Sequence, residues 1–567
     1  MKNSLNLKQL NLCSLEETKE WYLECLKPFV NKLEYLEARN NIETFILNEG
    51  SLLQDKLEKY KKDIYPNSWL MPYSKDIYLN GRGPVAIKSN YLLETIPYKK
   101  DIDYLTFVVR LICGIQDLYI DLSNKKINQM KTKDQLLCMK QLKGFLRGTR
   151  ILNHNKDIYE IFEDYKDINS GIIFYKNNCY QIKLFEEDGT KISEQEIFCQ
   201  IKQILDTVIE NDKLSISVLA FNNHDDSLKI IEQHQDNQKN LEILNKGMFC
   251  LTLWDKNSTE VSTNQKTYYD TSNAWPLKSW NIDAFRDLVC TFNNEHTYVD
   301  GATSSTLVCE LFDRIDKIET VFNNNDYSKV SLNELTFDFN QESLKLIKDN
   351  YLKYANQFDS KRFEFNNLNT NKIRSNKINI DAVYQLGFLY ADYYTFKELK
   401  VIHESVSVAH FYDGRTSCLK SASCEGIEFV KALASSSDVK VIFDLLKNAS
   451  LRHLEGISKA KDFCCIARHL AGLNLMSENE ISIYQDKYLQ KYLDQEICTS
   501  SMGNNKLINR FSYAPVSENG LGIGYLCHDD KFIADISYYK SDEADIVTFY
   551  NKLNEYFIKI NDFLDKI

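Results

Sequence analysis

The chain has 567 residues, of which 43% are hydrophobic and 26% are charged, and this composition excludes a wholly disordered or fibrous protein. Lys and Arg number 69 against 80 Asp and Glu, so the formal net charge of −11 argues against nucleic acid or an anionic membrane as a partner. No apolar run approaches the roughly 18 residues that a membrane-spanning helix needs, so we expect no membrane span.

The 15 cysteines are scattered and form no C-x-x-C pair, which disfavours a zinc ribbon or a thioredoxin-type motif. We therefore expect no metal site and a reducing compartment in which thiols pack as small core groups. The first twenty residues lack the apolar block of a secretory signal. These features favour a cytoplasmic protein and leave a mitochondrial or peroxisomal location open.

Helix and strand patterns alternate along the chain, which favours an α/β or α+β fold. Two β-rich runs flank a turn within residues 172–185 and predict a hairpin. Ser193 and Glu196 have the spacing of a capping box and predict the start of a helix. Residues 214–221 form a short apolar run that we interpret as a buried strand.

A candidate general base follows a predicted strand at 287–292. His296 lies just beyond that strand, and Asp300 and Gly301 come four and five residues later. A carboxylate at this spacing can orient an imidazole and support the imidazolium that forms during proton transfer. The pattern is equally compatible with a turn that Asp300 stabilises through its own backbone.

Three cations lie beside turn-forming asparagines within residues 364–379. They are Lys372, Arg374 and Lys377, and no acid stands among them. Such a group can hold a phosphate, but it can also belong to a solvated loop.

Two later segments carry polar residues where apolar ones would be expected. Residues 402–423 combine His403 and Glu404 with several small hydroxyl residues, which suggests polar recognition. Arg468 lies within an apolar helical pattern at 467–473, where a charge is costly without a partner anion. That anion is either a structural Asp or Glu or a substrate carboxylate, for which a guanidinium is well suited.

The remaining candidates lie near the end of the chain. Thr499, Ser500 and Ser501 precede a Gly-rich strand region, but no G-x-S-x-G elbow marks a nucleophile, so these hydroxyls are candidate oxyanion donors. Apolar residues at helical spacing over 545–567 predict a terminal helix that packs on the core.

Seven segments in order resemble blocks of the choline/carnitine acyltransferase family. They include EHTYVDG at 295–301, the region 371–394, HESVSVAHFYDGRTSCLKSAS at 403–423, ARHLAGL at 467–473 and YAPVSENGLGIGY at 513–525. The resemblance implies an α/β fold of two similar CoA-dependent acyltransferase domains, chloramphenicol acetyltransferase-like, with an active-site tunnel between them. We place one domain at 62–337 and the other at 1–61 together with 338–567.

The family resemblance also implies a mechanism. His296 is the expected general base for acyl exchange between coenzyme A and an amino alcohol, with Asp300 in support. Ser500 is the expected oxyanion donor, although a one-residue difference in spacing leaves Ser501 as an alternative. Acyl transfer would be direct, in a ternary complex. No tightly bound cofactor is implied, because acyl-CoA is a co-substrate.

The choice of alcohol follows from two positions. Carnitine-using members carry a Thr and an Arg at the positions of Thr416 and Arg468, where choline-using members have apolar or amide residues. Carnitine has a carboxylate and choline does not, and an unpaired buried Arg costs about 1–3 kcal/mol or more. Carnitine is therefore favoured, with a choline or other amino-alcohol acyltransferase and a non-catalytic CoA-binding relative as alternatives.

The resemblance assigns the other site residues as follows. His403 and Cys498 replace a Tyr and a Ser of the substrate site. Tyr78 and Tyr513 would face the trimethylammonium group, and Phe511 would shorten the acyl tunnel and favour acetyl or propionyl groups. The CoA contacts would be made by Lys372, Arg374, Lys377 and Asp381. We expect a monomer whose partners are acyl-CoA and carnitine.

Overall fold

The computed structural model of the protein describes residues 7–132, 135–164, 168–210, 212–268, 274–322, 327–436 and 438–567. Helices and strands alternate through these residues, which confirms an α/β fold. No helix among them combines the length and the apolarity that crossing a bilayer requires.

The helices surround two large sheets. Their bounds are α1 Leu15–Leu26, α2 Lys32–Phe45, α3 Ser51–Asp63, α4 Met71–Leu79, α5 Val85–Lys88, α6 Tyr104–Ser123, α7 Glu194–Thr207, α8 His224–Ile231, α9 Gln235–Lys246, α10 Thr263–Tyr268, α11 Gly301–Ile315, α12 Gln341–Ala355, α13 Thr370–Ser375, α14 Ile380–Thr395, α15 Cys424–Ser435, α16 Val439–Lys461, α17 Ile466–Leu475, α18 Lys487–Leu493 and α19 Glu543–Leu564.

The sixteen strands of the described residues all follow α5. Their bounds are β1 Tyr91–Thr95, β2 Gly148–Ile151, β3 Ile158–Ile161, β4 Ser170–Tyr175, β5 Asn178–Lys183, β6 Cys250–Leu253, β7 Trp280–Ala284, β8 Cys290–Asn294, β9 Asn333–Glu334, β10 Phe358–Asn366, β11 Ile402–Ser407, β12 Thr416–Lys420, β13 Ile497–Ser501, β14 Ile508–Ser512, β15 Leu521–Cys527 and β16 Lys531–Tyr539.

Eight strands form the first sheet, in the order β14-β1-β8-β7-β6-β4-β5-β9, and six form the second, in the order β10-β16-β15-β13-β11-β12. Strands β2 and β3 pair separately. Each large sheet is covered by its own apolar cluster, with α6, α7 and α11 on the first and α14 and α19 on the second. Burial of these faces supplies the main driving force for folding.

Strand β14 joins the first sheet although its sequence neighbours β13 and β15 belong to the second. It pairs antiparallel with β1, so that Phe511 lies opposite Leu93. Its backbone also passes close to β15, where a Cβ on Gly524 would stand 2.2 Å from the carbonyl oxygen of Phe511. Glycine is therefore required at 524 by the close approach of two backbones.

The N-terminal helices pack against the second half of the chain. Apolar residues of α1 to α3 share one cluster with residues of α17 and α18. Apart from β14, the strands between residues 338 and 567 all lie in the second sheet. The division at residues 61 and 337 nevertheless stays a prediction.

Three local predictions are confirmed. Strands β4 and β5 form the hairpin, with Lys176 and Asn177 at positive φ in its turn. Ser193 and Glu196 form both bonds of a capping box at the start of α7. The terminal helix α19 buries its apolar face, including Phe549 and Phe557.

Two predicted strands differ from the structure. Residues 214–221 are not a strand, because Ile216–Phe221 forms a 3₁₀ helix whose first turn is capped by Ser215. All six of its side chains are buried, and a short run that is apolar on every side does not distinguish strand from helix. The strand predicted at 287–292 begins only at Cys290, because Leu288 has a φ of 58° and forms a turn.

Candidate functional site

His296 lies in the short connection between β8 and α11. Its Nδ1 is 3.0 Å from the backbone oxygen of Val299 and 3.8 Å from Oδ1 of Asp300. Because a carbonyl only accepts, the neutral ring has its proton on Nδ1, and Nε2 carries the lone pair. Nε2 is therefore the basic nitrogen of this ring.

The direct support of the ring differs from the sequence expectation. We expected Asp300 to orient His296, whereas the direct contact is made by the Val299 carbonyl. Asp300 instead pairs with Arg415 at 2.7 Å and accepts a hydrogen bond from Gln141 at 2.7 Å. Arg415 also donates to the carbonyl oxygen of His296 at 2.8 Å. The carboxylate thus acts on the imidazole from 3.8 Å, within an ion pair that ties the loop to the second half of the chain.

Burial is the main reason that the His296 ring is neutral. Burial lowers the pKa of His296, Asp300 raises it and Arg415 lowers it, so that the pKa lies below its ordinary value. Burial alone would raise the pKa of Asp300, but the Arg415 guanidinium holds it below its usual value. At neutral pH the site therefore contains a neutral imidazole beside an ionised carboxylate.

Aromatic rings enclose the imidazole. The centroid of His296 lies 5.2 Å from that of Tyr78 and 4.9 Å from that of Tyr91. Tyr91 in turn contacts Phe511 at 6.2 Å, and Phe511 contacts Tyr513 at 5.3 Å. A continuous aromatic wall therefore runs from the candidate base to the strand that crosses between the halves.

A polar face lies on the second sheet, at its edge formed by β12, β11 and β13. His403 is opposite Lys420 on one side and Cys498 on the other, so the three side chains share a face. By the alternation of strand residues, Thr416 and Ser500 belong to this face as well. Burial, then Lys420 and Arg468, hold the pKa of His403 well below its ordinary value, so this ring is neutral.

Arg468 belongs to α17 and is half-buried. Among the residues that the structure describes, no acid pairs with it, and its Nε has no hydrogen-bond partner. Burial raises the pKa of Tyr78, whereas Arg415 and Arg468 both lower it, so the Arg468 guanidinium acts on a ring that contacts His296. The Arg468 charge is thus close enough to Tyr78, a neighbour of the candidate base, to act on it electrostatically.

The candidate oxyanion donors lie on β13 and face opposite ways. Ser501 Oγ accepts a hydrogen bond from the Gly503 backbone at 3.0 Å and lies 3.7 Å from the Cys527 sulfur. Thr499, on the same face as Ser501, donates to the backbone oxygen of His403. Ser500 lies on the opposite face with Cys498, and no described residue forms a hydrogen bond with its hydroxyl.

Other predicted substrate residues are partly occupied by structural contacts. The Tyr513 hydroxyl lies 2.9 Å from the Cys498 carbonyl and 3.0 Å from the Ile523 carbonyl. The Arg415 guanidinium lies over the Tyr78 ring at 5.4 Å. Tyr513 therefore keeps its ring, but not its hydroxyl, available to a ligand.

The predicted CoA cations cluster in and just after the short helix α13, which ends at Ser375. Lys372 donates to the backbone oxygen of Ile567 at 2.6 Å, and Arg374 pairs with Asp529 at 3.3 Å. Lys377 is exposed in the turn that follows, with a φ of 59°. The three cations lie within six positions of one another, which is a favourable setting for a phosphate.

Asp381 belongs to a different environment from these cations. It accepts a hydrogen bond from the Tyr525 hydroxyl at 2.7 Å and lies 3.3 Å from Nε2 of His453. Burial and the Asp381 charge raise the pKa of Glu404 well above its usual value, so Glu404 is protonated. Of the described side chains, Asp381, Glu404 and His453 have the spacing of a metal-ligand set, with donor atoms within 4.8 Å of one another.

Sequence reasoning missed three residues of the site. It gave no role to Arg415, Gln141 or Lys420, although the first two hold Asp300 and the third borders His403. The pattern GRT at 414–416 was visible, but nothing local indicated that its Arg reaches back to residue 300.

The arrangement can support proton transfer next to an anion-binding group. A neutral imidazole with a free Nε2 can accept a proton from an alcohol or a thiol. The Ser500 hydroxyl can donate to a developing oxyanion. The guanidinium of Arg468 has no Asp or Glu partner within the described part of the chain and can receive a carboxylate from a ligand.

Two curated relatives match this chain over most of its length. The carnitine O-acetyltransferase of Mus musculus is 24% identical over 555 residues, which cover 92% of this chain and 87% of that protein. The mitochondrial carnitine O-palmitoyltransferase 2 of Homo sapiens is 22% identical and covers 95% of this chain and 89% of its own length. A solved trichothecene 15-O-acetyltransferase from Fusarium sporotrichioides superposes with a TM-score of 0.45 at 11% identity, over 86% of this chain and 94% of that one.

The family comparison covers nearly the whole sequence. The sequence model described as "Choline/Carnitine o-acyltransferase" matches residues 10–555, from the N-terminal helices to α19. This range includes both sheets, the His296 loop, the polar face of the second sheet and Arg468 in α17. The chain belongs to the choline/carnitine O-acyltransferase family.

Proposed function

We propose that this protein transfers a short acyl group reversibly between coenzyme A and the hydroxyl group of carnitine. The observation that carries the choice of carnitine is the half-buried Arg468, which has no acidic partner among the described residues. A carboxylate on the alcohol substrate would form an ion pair with this guanidinium. Choline has no carboxylate and would leave the guanidinium unpaired. The neutral His403 and Thr416 lie on the nearby sheet face and offer hydrogen bonds to the same carboxylate.

The chemical step needs one base and one oxyanion donor. Nε2 of His296 takes the proton of the carnitine hydroxyl, and the alkoxide attacks the thioester carbonyl. Ser500 donates to the oxyanion that forms, and the imidazolium returns its proton to the departing CoA thiolate. Asp300, ionised and 3.8 Å from the ring, stabilises the imidazolium while Arg415 holds it in place.

We assign the trimethylammonium group of carnitine, the acyl group and CoA to three different regions of the protein. The ring of Tyr513 offers a cation–π surface for the trimethylammonium group, with Cys498 beside it. Phe511 is buried and contacts Tyr91, which in turn contacts His296. The bulk of the Phe511 ring near the base favours acetyl and propionyl groups over long acyl chains. Lys372, Arg374 and Lys377 would hold CoA phosphates, whereas the buried surroundings of Asp381 suit a neutral part of the CoA arm.

Thiol release from acetyl-CoA with carnitine, choline or another amino alcohol tests the proposal. We expect release with carnitine and none with the His296→Ala variant, whose CoA affinity should be nearly unchanged. Release with choline alone would favour a choline acyltransferase. CoA binding without release for any alcohol would favour a non-catalytic relative.

Arg468→Asn tests the carboxylate assignment. We expect a strong rise in the KM for carnitine and little change in the KM for acetyl-CoA, because only the carboxylate contact is removed. Arg39→Asn is the matched control, since Arg39 is an exposed arginine whose partner Glu43 lies on the same helix. An unchanged carnitine KM in Arg468→Asn would contradict the assignment.

A further inference from the structure

Two buried cysteines meet beside Arg468. Cys418 lies in β12, and Cys465 is the residue that precedes α17. Their sulfur atoms are 3.2 Å apart, and their exposed fractions are only 8% and 3%. The two thiols are separated by 47 positions in the sequence, so the fold brings them together.

The pair joins the two elements that carry the proposed carboxylate contacts. Cys418 is two residues after Thr416 on the same strand and therefore lies on the same face. Cys465 is three residues before Arg468, about one helical turn away. A covalent bond between the sulfurs would consequently fix α17 to β12 at the place where substrate binding is proposed.

The charges at the pair give the two thiols different roles. The hydrogen bond from Cys418, and then the Arg468 guanidinium, lower the pKa of Cys465 to about 6 against the opposing effect of burial. The hydrogen bond and burial raise the pKa of Cys418 well above its ordinary value. Cys465 is therefore the more acidic thiol of the pair, and its thiolate is the form that attacks an oxidant.

We propose that Cys418 and Cys465 form a reversible disulfide that lowers carnitine use, a consequence that rests on the proposed function. The oxidant is a peroxide. The Cys465 thiolate attacks one peroxide oxygen, the O–O bond breaks, and Cys465 becomes a sulfenic acid while hydroxide leaves and takes a proton from solvent. The Cys418 thiol then displaces water from that sulfenic acid and forms the S–S bond. In sum, two thiols and one hydrogen peroxide give one disulfide and two waters.

The bond would displace the substrate contacts. A disulfide requires sulfurs about 2.05 Å apart, so the pair must close by about 1.1 Å from its 3.2 Å separation. This movement shifts the start of α17, and Arg468 with it, relative to Thr416. Shifts of about 1 Å in a substrate-positioning group are enough to reduce turnover strongly.

The experiment treats the intact reduced protein with hydrogen peroxide, followed by peptide mapping without reduction. We expect a cross-linked peptide that joins Cys418 to Cys465, a several-fold rise in the carnitine KM, and an unchanged KM for acetyl-CoA. Dithiothreitol should restore both the free thiols and the original KM. Activity of the reduced protein with carnitine reports separately on the proposed function, because the disulfide is detected without any turnover.

Matched variants separate this pair from the other thiols. Cys418→Ala and Cys465→Ala should each abolish the peroxide effect on KM, whereas Cys13→Ser should retain it, because Cys13 neighbours Cys464 instead. The inference is overturned if the mapped wild-type protein shows no Cys418–Cys465 link after peroxide treatment, whether or not other cysteines are oxidised. It is equally overturned if the link forms and the carnitine KM stays the same or falls.

Discussion

The contact between His296 and the Val299 carbonyl determines which ring nitrogen is free to react. An expected carboxylate contact is replaced there by a backbone oxygen, which cannot lose or gain a proton near neutral pH. The ring orientation is therefore independent of the charge on Asp300. Asp300 acts electrostatically, and its own position depends on Arg415 and Gln141.

This division of roles predicts the pH dependence of the reaction. Since burial holds the pKa of His296 below its ordinary 6.5, the acidic limb of kcat/KM should lie below pH 6.5. Asp300 raises this pKa, so Asp300→Asn should move the limb to still lower pH and reduce kcat at neutral pH. The measurement is a pH–rate profile with acetyl-CoA and carnitine, with the exposed Asp101→Asn as control. A limb that moves to higher pH in Asp300→Asn would contradict this account.

The two candidate oxyanion donors are distinguished by the side of β13 on which they lie. Ser500 shares the face of Cys498 and His403, whereas Ser501 contacts Gly503 and Cys527 on the other face. We expect Ser500→Ala to lower kcat by about 10²–10³, the usual loss for one oxyanion donor. Ser501→Ala is the paired control and should lose far less. A larger loss in Ser501→Ala would reverse the assignment.

At the level of elements, the helix α13 and the end of α19 together form the proposed phosphate surface. Lys372 and Arg374 are held by the Ile567 carbonyl and by Asp529, partners weak enough to be exchanged for phosphate oxygens. The double variant Lys372→Ala/Arg374→Ala should therefore weaken CoA binding more than dephospho-CoA binding. Calorimetry with both ligands measures this, with the exposed Lys345→Ala as control. Equal losses for the two ligands would argue against a contact with the 3′-phosphate.

Local elements were predictable because their signals are local. The hairpin turn at Lys176 and Asn177 and the capping box of Ser193 and Glu196 both depend on residues close in sequence. The segment Ile216–Phe221 was wrong because burial on every side removes the periodicity that separates strand from helix. Turn-forming and capping residues therefore predicted elements better than a short apolar run without periodicity did.

Contacts between residues that are far apart in the sequence account for the features of the site that the sequence did not predict. Arg415 reaches Asp300 across 115 positions, and no spacing rule predicts such a contact. The absence of a described acid beside Arg468 likewise follows only from the packed structure. The candidate residues themselves were predictable by resemblance to a family, but their partners required the fold.

At the scale of the whole molecule, strand β14 carries Phe511 from the second half into the first sheet. Phe511→Gly should open space next to Tyr91 and admit octanoyl-CoA, because a buried ring two contacts from His296 is removed. The measurement compares kcat/KM for acetyl-CoA and octanoyl-CoA, with Phe511→Leu as a control that keeps most of the volume. The melting temperature should fall in Phe511→Gly, since emptied cavities in a core cost several kcal/mol. No gain with octanoyl-CoA in a folded variant would remove Phe511 from the acyl site.

The crossing of β14 from one half to the other also restricts how substrates enter and products leave the site. The strand is hydrogen-bonded to β1 in one half while its neighbours in sequence are built into the sheet of the other. A hinge motion that separates the two halves would break the hydrogen bonds between β1 and β14. A route of entry and release that keeps these hydrogen bonds intact is therefore less costly than a hinge opening of the two halves.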